Sequence, residues 1–202
     1  MRFCLLLISI IIHQTVYAQK STYVSEIKTY QHKLNHEFAD PTETPLTEEG
    51  LARFDSLNFF KINATYLVKA YLVKTPKSKP FKMLTTTNRK PDYRQYGTVS
   101  FMLKDTLCTL SVFENLRFKS DTTRTPYLFL PFKDYTNGGE SYGGGRFLDL
   151  KIPADDTLHI DFNKAYNPYC AYSARYSCPI PPKENELKVH IAAGVMRYDG
   201  EH

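Results

Sequence analysis

Apolar side chains follow a helical period near the start of the chain. Over residues 21–38 they recur at about 100° per residue, which predicts an amphipathic helix. The positions on its apolar face are Ile27, Tyr30, Leu34 and Phe38. Pro41 ends this helix, because the residue before a proline disfavours helical conformation. Thr47 is placed to cap a short second helix over residues 48–54.

From residue 64 onward the pattern changes to alternation and short apolar runs, which are typical of strands. These stretches are residues 64–74, 81–87, 96–103, 107–113, 127–131, 148–152, 158–162 and 187–193. The first has few polar breaks and is predicted to be covered on both faces. Because the connections are short, the sequence predicts a mainly β fold, an antiparallel barrel or sandwich of about eight strands with an N-terminal helical segment.

Two of the predicted strands carry polar residues on the face opposite their leucines and isoleucine. Residues 153–157 are predicted to close a hairpin between them, and one register places Asp149 across from Asp161. Like charges in that position require a bound cation, a shared proton or a neighbouring base. A shift of two residues pairs Lys151 with Asp161 or Asp149 with His159, and the charges are then simply solvated on an open face.

A glycine-rich segment, NGGESYGGGR, spans residues 137–146. Its spacing does not fit a phosphate-binding loop, because Gly144 stands where the lysine should be and a strand follows instead of a helix. Two interpretations remain, a mobile turn and a rigid loop that lets a ligand approach the backbone. Arg146 shares the parity of the leucines, so it is placed to reach inward and hold a carboxylate, either Glu140, Glu184 or that of a ligand.

The segment after the second of these strands contains two closely spaced cysteines, Cys170 and Cys178, among prolines. In an exported protein this spacing favours a disulfide. The alternative is a nucleophilic Cys170 with His159 as its base.

The N-terminus has the features of a cleaved signal peptide. Arg2 precedes the apolar run CLLLISIII, and VYA, ending at Ala18, offers small residues for cleavage. The run is too short for a transmembrane span, the competing interpretation. We therefore expect a signal peptide over residues 1–18, a single β-rich domain over residues 19–202, and export to the periplasm or beyond.

Charge does not point to a nucleic-acid partner, since the formal charge is only +5. Residues 61–94 do hold nine Lys and Arg against one acid, Asp92. This stretch is either a patch for an acidic surface or a pair of solvated strands, and we favour the strands. His32 and His36 are four apart but lack a metal-binding motif, so we predict no metal and no cofactor.

Three motifs resemble one known family. They are LPFKDYTNGGESYGGGRFLDL, DFNKAYNPYCAYSARYSCPIPPKEN and a closing stretch that ends in AAG. They resemble the family called domain of unknown function 1684, and HEFADPTETPL with LNFFKINATYLVKA resembles its short exported branch. The resemblance implies no activity, since none is established for the family. The positions that match its pattern are Thr136, Gly139, Glu140, Tyr142, Gly145, Arg146, Asp161, Asn163, Tyr166, Asn167, Pro168, Cys170, Cys178 and Asn185.

The sequence predicts a protein that binds a small polar or anionic ligand, in a pocket formed by residues 138–167. The proposed ligand-binding residues are Glu140, Tyr142, Arg146, Asp161, Asn163, Tyr166 and Asn167. Arg146 is the proposed anion clamp, and Tyr142 and Tyr166 are proposed stacking walls. A second interpretation is a carboxylate- or metal-dependent hydrolase with Glu140 or Asp149 as base and Asp161 as acid or metal ligand. A third is a structural subunit of an envelope assembly. The pattern does not decide between an enzyme and a binding protein, and it does not give an oligomeric state.

Overall fold

The computed structural model describes residues 2–119 and 125–200, with side chains for residues 21–118 and 125–200. The predicted signal peptide lies outside the residues with described side chains, so cleavage and export remain predictions. Within the described residues, no helix combines the length and the apolar character needed to cross a membrane.

The core of the fold is one antiparallel sheet that curves into a half-barrel. Its strands are β1 (Leu67–Lys74), β2 (Phe81–Lys82), β3 (Asp92–Leu103), β4 (Thr106–Asn115), β5 (Tyr127–Phe132), β6 (Arg146–Lys151) and β7 (Thr157–Asp161). The spatial order is β6-β5-β4-β3-β1-β7, with β2 attached to β3. The helices are α1 (Arg2–Ala39), α2 (Glu48–Ala52) and α3 (Leu116–Lys119). The predicted class, antiparallel β with an N-terminal helix, is confirmed.

The burial of β1 differs from the prediction. Val68, Ala70 and Leu72 point into the core, whereas Tyr71 and Val73 are 62% and 69% exposed. One face of this strand is therefore open to solvent, and the expected cover on both faces was wrong. The apolar content of the strand misled the prediction, because Tyr and Val favour the pleated conformation even where they are not buried.

The hairpin predicted across residues 153–157 does not form. β6 pairs with β5, and β7 pairs with β1, so the two strands lie at opposite ends of the sheet order. Asp149 lies across from Phe129, and Asp161 lies across from Leu67. The predicted juxtaposition of the two aspartates was wrong. β6 and β7 pair with different strands, and in this arrangement the apolar face of each strand is buried in the shared core.

The last predicted strand, residues 187–193, is an irregular extended segment. It hydrogen-bonds to the chain after β5, with Leu187 N donating to Lys133 O at 2.8 Å and Tyr135 N donating to Val189 O at 2.9 Å. Ile191 and Ala193 are fully buried. The apolar positions thus enter the core as predicted, but without a strand.

Apolar layers cover the inner face of the sheet and part of its outer face. The inner core of the half-barrel contains residues such as Leu110, Leu130 and Ile160. On the outer face, Tyr93, Phe113, Phe129 and Phe147 of β3–β6 form a second, mostly aromatic cluster with Met83, which follows β2. A strand that is buried on both faces is a continuous apolar run, which is why β5 reads as YLFLPF.

Helix α1 packs beside this outer cluster. Ile27 is fully buried and Phe38 is 4% exposed, and the Phe38 ring meets Tyr172 with centroids 4.7 Å apart. Two tyrosine hydroxyls fix the helix to the chain after β7. Tyr23 donates to Asp161 Oδ1 at 3.1 Å, and Tyr30 donates to Lys164 O at 2.9 Å.

Candidate functional site

A cavity of about 570 Å³ lies between α1, the outer face of β3–β6 and residues 166–179. Half of the residues that line it are Tyr or Phe. We call this cavity the aromatic pocket. Its size and its mixture of aromatic walls with a few polar groups are typical of small-molecule sites.

The floor of the aromatic pocket is a row of rings from β3, β5 and β6, continued by Tyr166 in the chain after β7. Tyr93 and Phe129 have ring centroids 5.7 Å apart, and Phe129 and Phe147 follow at 4.8 Å in an edge-to-face arrangement. Phe147 then meets Tyr166 at 6.0 Å, with the rings perpendicular. The row forms because these positions of β3, β5 and β6 share one face of the antiparallel sheet.

Asp149 stands at the end of this row, next to Phe147 and Phe129. Its side chain is open to the pocket, and Tyr166 Oη donates a hydrogen bond to Asp149 Oδ2 at 2.9 Å. The protein atoms around Asp149 displace water from the carboxylate, and this desolvation raises the pKa of Asp149 to about 6. The hydrogen bond from Tyr166 favours the charged form and opposes that rise. Among the described residues, no Lys or Arg forms an ion pair with this carboxylate.

Asn167 adds a second oxygen acceptor to the lining. Its side-chain amine donates to Met196 O at 2.8 Å and to Tyr172 Oη at 3.3 Å, which fixes the orientation of the amide. Its Oδ1 atom is buried and has no hydrogen-bond partner among the described residues. A buried acceptor without a donor is rare and calls for an explanation.

Two cations at the rim of the pocket, Lys33 and Arg89, form no ion pair with Asp149. Lys33 lies 3.6 Å from Glu37 one turn along α1, and Arg89 Nη2 donates to Ser177 O at 2.5 Å. The charged side chains of the rim therefore do not neutralise Asp149.

The glycine-rich loop forms a closed turn. Thr136 O accepts the backbone N–H groups of Gly139, Glu140 and Ser141 at 3.0–3.3 Å, and the amide of Asn137 donates to Ser141 Oγ and Tyr142 O. Gly138 and Gly145 have φ of 85° and 98°, which explains the glycines at those two positions. These N–H groups are used inside the turn.

Arg146 points inward as predicted, but it contacts no pocket. The side chain is fully buried, and its Nη2 donates to Asp134 Oδ2 at 2.6 Å and to Ile191 O at 2.9 Å. A further hydrogen bond joins Arg146 Nη1 to Ala193 O. Its carboxylate partner is thus Asp134, not Glu140 or Glu184, and Arg146 has no surface for an anionic ligand.

The other predicted site residues are dispersed. Glu140 pairs with His190 on the surface, and Tyr142 Oη lies 3.9 Å from Cys170 Sγ. Asp161 accepts from Tyr23, and the buried Asn163 bridges Asn63 O and Asp161 Oδ1 at 3.0 Å each. Only two of the predicted ligand residues, Tyr166 and Asn167, line the aromatic pocket. Among the described residues, no three His, Cys, Asp or Glu side chains form a group that could hold a metal.

The predicted disulfide is not formed. Cys170 and Cys178 are free thiols, and Cys178 Sγ accepts a hydrogen bond from Cys170 N at 3.2 Å. The hydrogen bond from the Cys178 thiol lowers the pKa of Cys170 to about 7. No described contact joins Cys170 to His159, which lies on β7 opposite Lys69.

A second, smaller cavity of about 440 Å³ lies between α2 and the chain around Tyr198. Neither of the buried side-chain atoms without a partner among the described residues, Arg146 Nε and Asn167 Oδ1, belongs to its lining. The aromatic pocket is the stronger candidate site for this reason.

Comparison with known proteins decides the family. A family model described as a protein of unknown function (DUF1684) matches residues 52–196. The chain belongs to the DUF1684 family. The solution NMR structure of an uncharacterized protein from Haloarcula marismortui is similar to this DUF1684 chain, with 30% identity and a TM-score of 0.68. That similarity covers 92% of this chain and 99% of the archaeal one. No curated protein matches the chain.

The sequence pattern did not identify most of the DUF1684 pocket. Tyr93, Phe129 and Phe147 look like ordinary strand residues, and the floor they form depends on which strands are neighbours. Asp149 was a catalytic candidate only through a pairing that does not exist. One sequence feature did point to the pocket. β5 is an apolar run and β6 begins with apolar residues that include Phe147, which indicates that both faces of these strands are buried.

Proposed function

We propose that this protein binds a small molecule with a flat apolar body in the aromatic pocket. The body would lie on the rings of Phe129 and Phe147, and its polar group would meet Asp149 and Tyr166. The observation that carries this proposal is an uncompensated carboxylate at the end of an aromatic row, inside a cavity large enough for a drug-sized ligand.

The ligand class differs from the polar or anionic molecule that the sequence favoured. Arg146, the residue expected to hold an anion, is buried, pairs with Asp134 and lies outside the pocket lining, whereas Asp149 places a negative charge in that lining. The walls instead favour apolar surface with one hydrogen-bonding group. We also propose, on the N-terminal pattern alone, that the chain is exported and meets its ligand outside the cytoplasm.

The test uses 2-phenylethanol, a neutral aromatic probe, in saturation-transfer NMR with the full chain. Leu34→Arg places a charge in the lining and should abolish the transfer. Leu107→Arg is the matched control, because Leu107 is 69% exposed near the start of β4, six residues from Phe113 and outside the pocket lining, and it should leave the transfer unchanged.

Leu34 also packs against the cluster around Phe38, so a second blocking variant is needed in case Leu34→Arg fails to fold. Ser177→Trp fills the same pocket from the opposite wall. Transfer that persists in a folded blocking variant, or that Leu107→Arg abolishes equally, would rule out binding in this pocket.

A further inference from the structure

The carboxylate of Asp149 is an oxygen acceptor of the aromatic pocket that lacks a matching donor. It receives one hydrogen bond, from Tyr166, and no described cation pairs with it. Asn167 Oδ1 also has no partner among the described residues, but that atom is closed to solvent and therefore to a ligand. The remaining acceptor positions of Asp149 favour a ligand with N–H or O–H donors and disfavour a carboxylate or a phosphate.

The charges around Asp149 point in the same direction. On α1, Lys33 is paired with Glu37, and at the opposite rim Arg89 donates to a backbone carbonyl. On β6 itself, Lys151 shares the face of Asp149 but lies beyond the lining, across from Tyr127. The carboxylate of Asp149 therefore carries a negative charge with no ion-pair partner among the described residues at the end of the aromatic floor. This charge attracts a positive group.

Aromatic rings border the carboxylate on two sides. Phe129 is its cross-strand neighbour, and Tyr166 donates to it while standing perpendicular to Phe147. Ring faces carry negative electrostatic potential and attract cations within about 6 Å of the centroid. A ring wall together with one carboxylate is an environment that stabilises an ammonium group better than a neutral or anionic one.

We propose that the head group recognised in the aromatic pocket is a cationic amine, which Asp149 binds among the rings. This inference rests on the proposed function, since it names the ligand class of the same site. The amine would donate to the carboxylate of Asp149. The apolar body would extend along Phe129 towards Tyr93.

The experiment compares three probes that share one phenyl body: phenethylamine, 2-phenylethanol and phenylacetate. Dissociation constants are measured by NMR titration of the full chain at about pH 7.5, where the amine is charged. The amine should bind about tenfold more tightly than the alcohol, and phenylacetate more weakly than either.

Asp149→Asn should remove the preference for the amine and bring its affinity to that of the alcohol. Asp105→Asn makes the same substitution in the exposed turn between β3 and β4 and should change nothing. Because the pKa of Asp149 is raised to about 6, the affinity of wild type for the amine should fall at about pH 5, where the carboxyl is protonated. No histidine lines the pocket, and the other carboxylate of the lining, Glu37, is paired with Lys33, so most of this fall should be absent in Asp149→Asn.

Equal affinity for the amine and the alcohol, or tightest binding of phenylacetate, would overturn the cationic head group. In that case loss of 2-phenylethanol binding in the Leu34→Arg or Ser177→Trp variant would still support the proposed function. Failure of all three probes to bind wild type at millimolar concentrations would count against both.

Discussion

Arg146 and Asp149 lie on the same strand, three residues apart, and have opposite environments. Arg146 faces the inner core, where Asp134 and two carbonyl groups accept hydrogen bonds from its Nη1 and Nη2 atoms. Asp149 faces the outer pocket and has no cation partner among the described residues. Alternation along β6 places the two on different faces. A charge that the fold has fully paired serves stability, and a charge left without a partner is available to a ligand.

This difference predicts that Arg146→Met destabilises the protein strongly. Removing one member of a buried ion pair leaves the other uncompensated, which costs about 3–5 kcal/mol of unfolding free energy. Lys82→Met is the control, since Lys82 and Asp92 form an exposed ion pair at 2.8 Å whose loss costs at most about 1 kcal/mol. Urea denaturation measures both variants, and equal losses would show that the Arg146–Asp134 pair is not the structural element described above.

Strands could be located from the sequence, but their neighbours could not. The alternation over residues 96–103 and 107–113 predicted both β3 and β4. The two strands form a hairpin, in which Lys104, with φ of 54°, makes the tight turn. The same reasoning failed for β6 and β7, because alternation specifies a face and not a partner. Asp134 was not predicted as the partner of Arg146 either, since it lies two residues beyond Phe132, and Phe132 is opposite Arg146 only because β5 pairs with β6.

Helix α1 forms one wall of the pocket, through residues from Tyr30 onward. Tyr23, Ile27 and Tyr30 hold it to the sheet, and all three follow the predicted cleavage site. Cleavage after Ala18 would therefore leave the pocket wall complete.

Export with cleavage predicts a mature protein that begins at Gln19. The intact mass of the protein isolated from the envelope or medium of its own cells measures this directly. An uncleaved chain, or a cut beyond Tyr23 that removes the helix anchors, would contradict the prediction.

At the scale of the whole molecule, one curved sheet separates two kinds of interior. The concave side buries an aliphatic core that includes Leu110 and Ile160, and the convex side of β3–β6 carries the aromatic cluster with the pocket above it. The inner core and the Arg146–Asp134 pair supply a rigid support, so the pocket-lining rings of β5 and β6 are fixed in position. The role of the outward-facing residues of β6 could not be predicted from the sequence, because it depends on helix α1 and residues 166–179, which pack over them.

Binding of an amine in the aromatic pocket is tested most directly by mapping where phenethylamine touches the labelled full chain. Two-dimensional NMR spectra recorded during a titration report each ring and backbone amide separately. The account predicts that the largest shifts fall on the rings of Phe129, Phe147 and Tyr166 and on the amide of Asp149. Shifts that concentrate around Tyr198, at the smaller cavity, or that spread over the surface without saturating would contradict it.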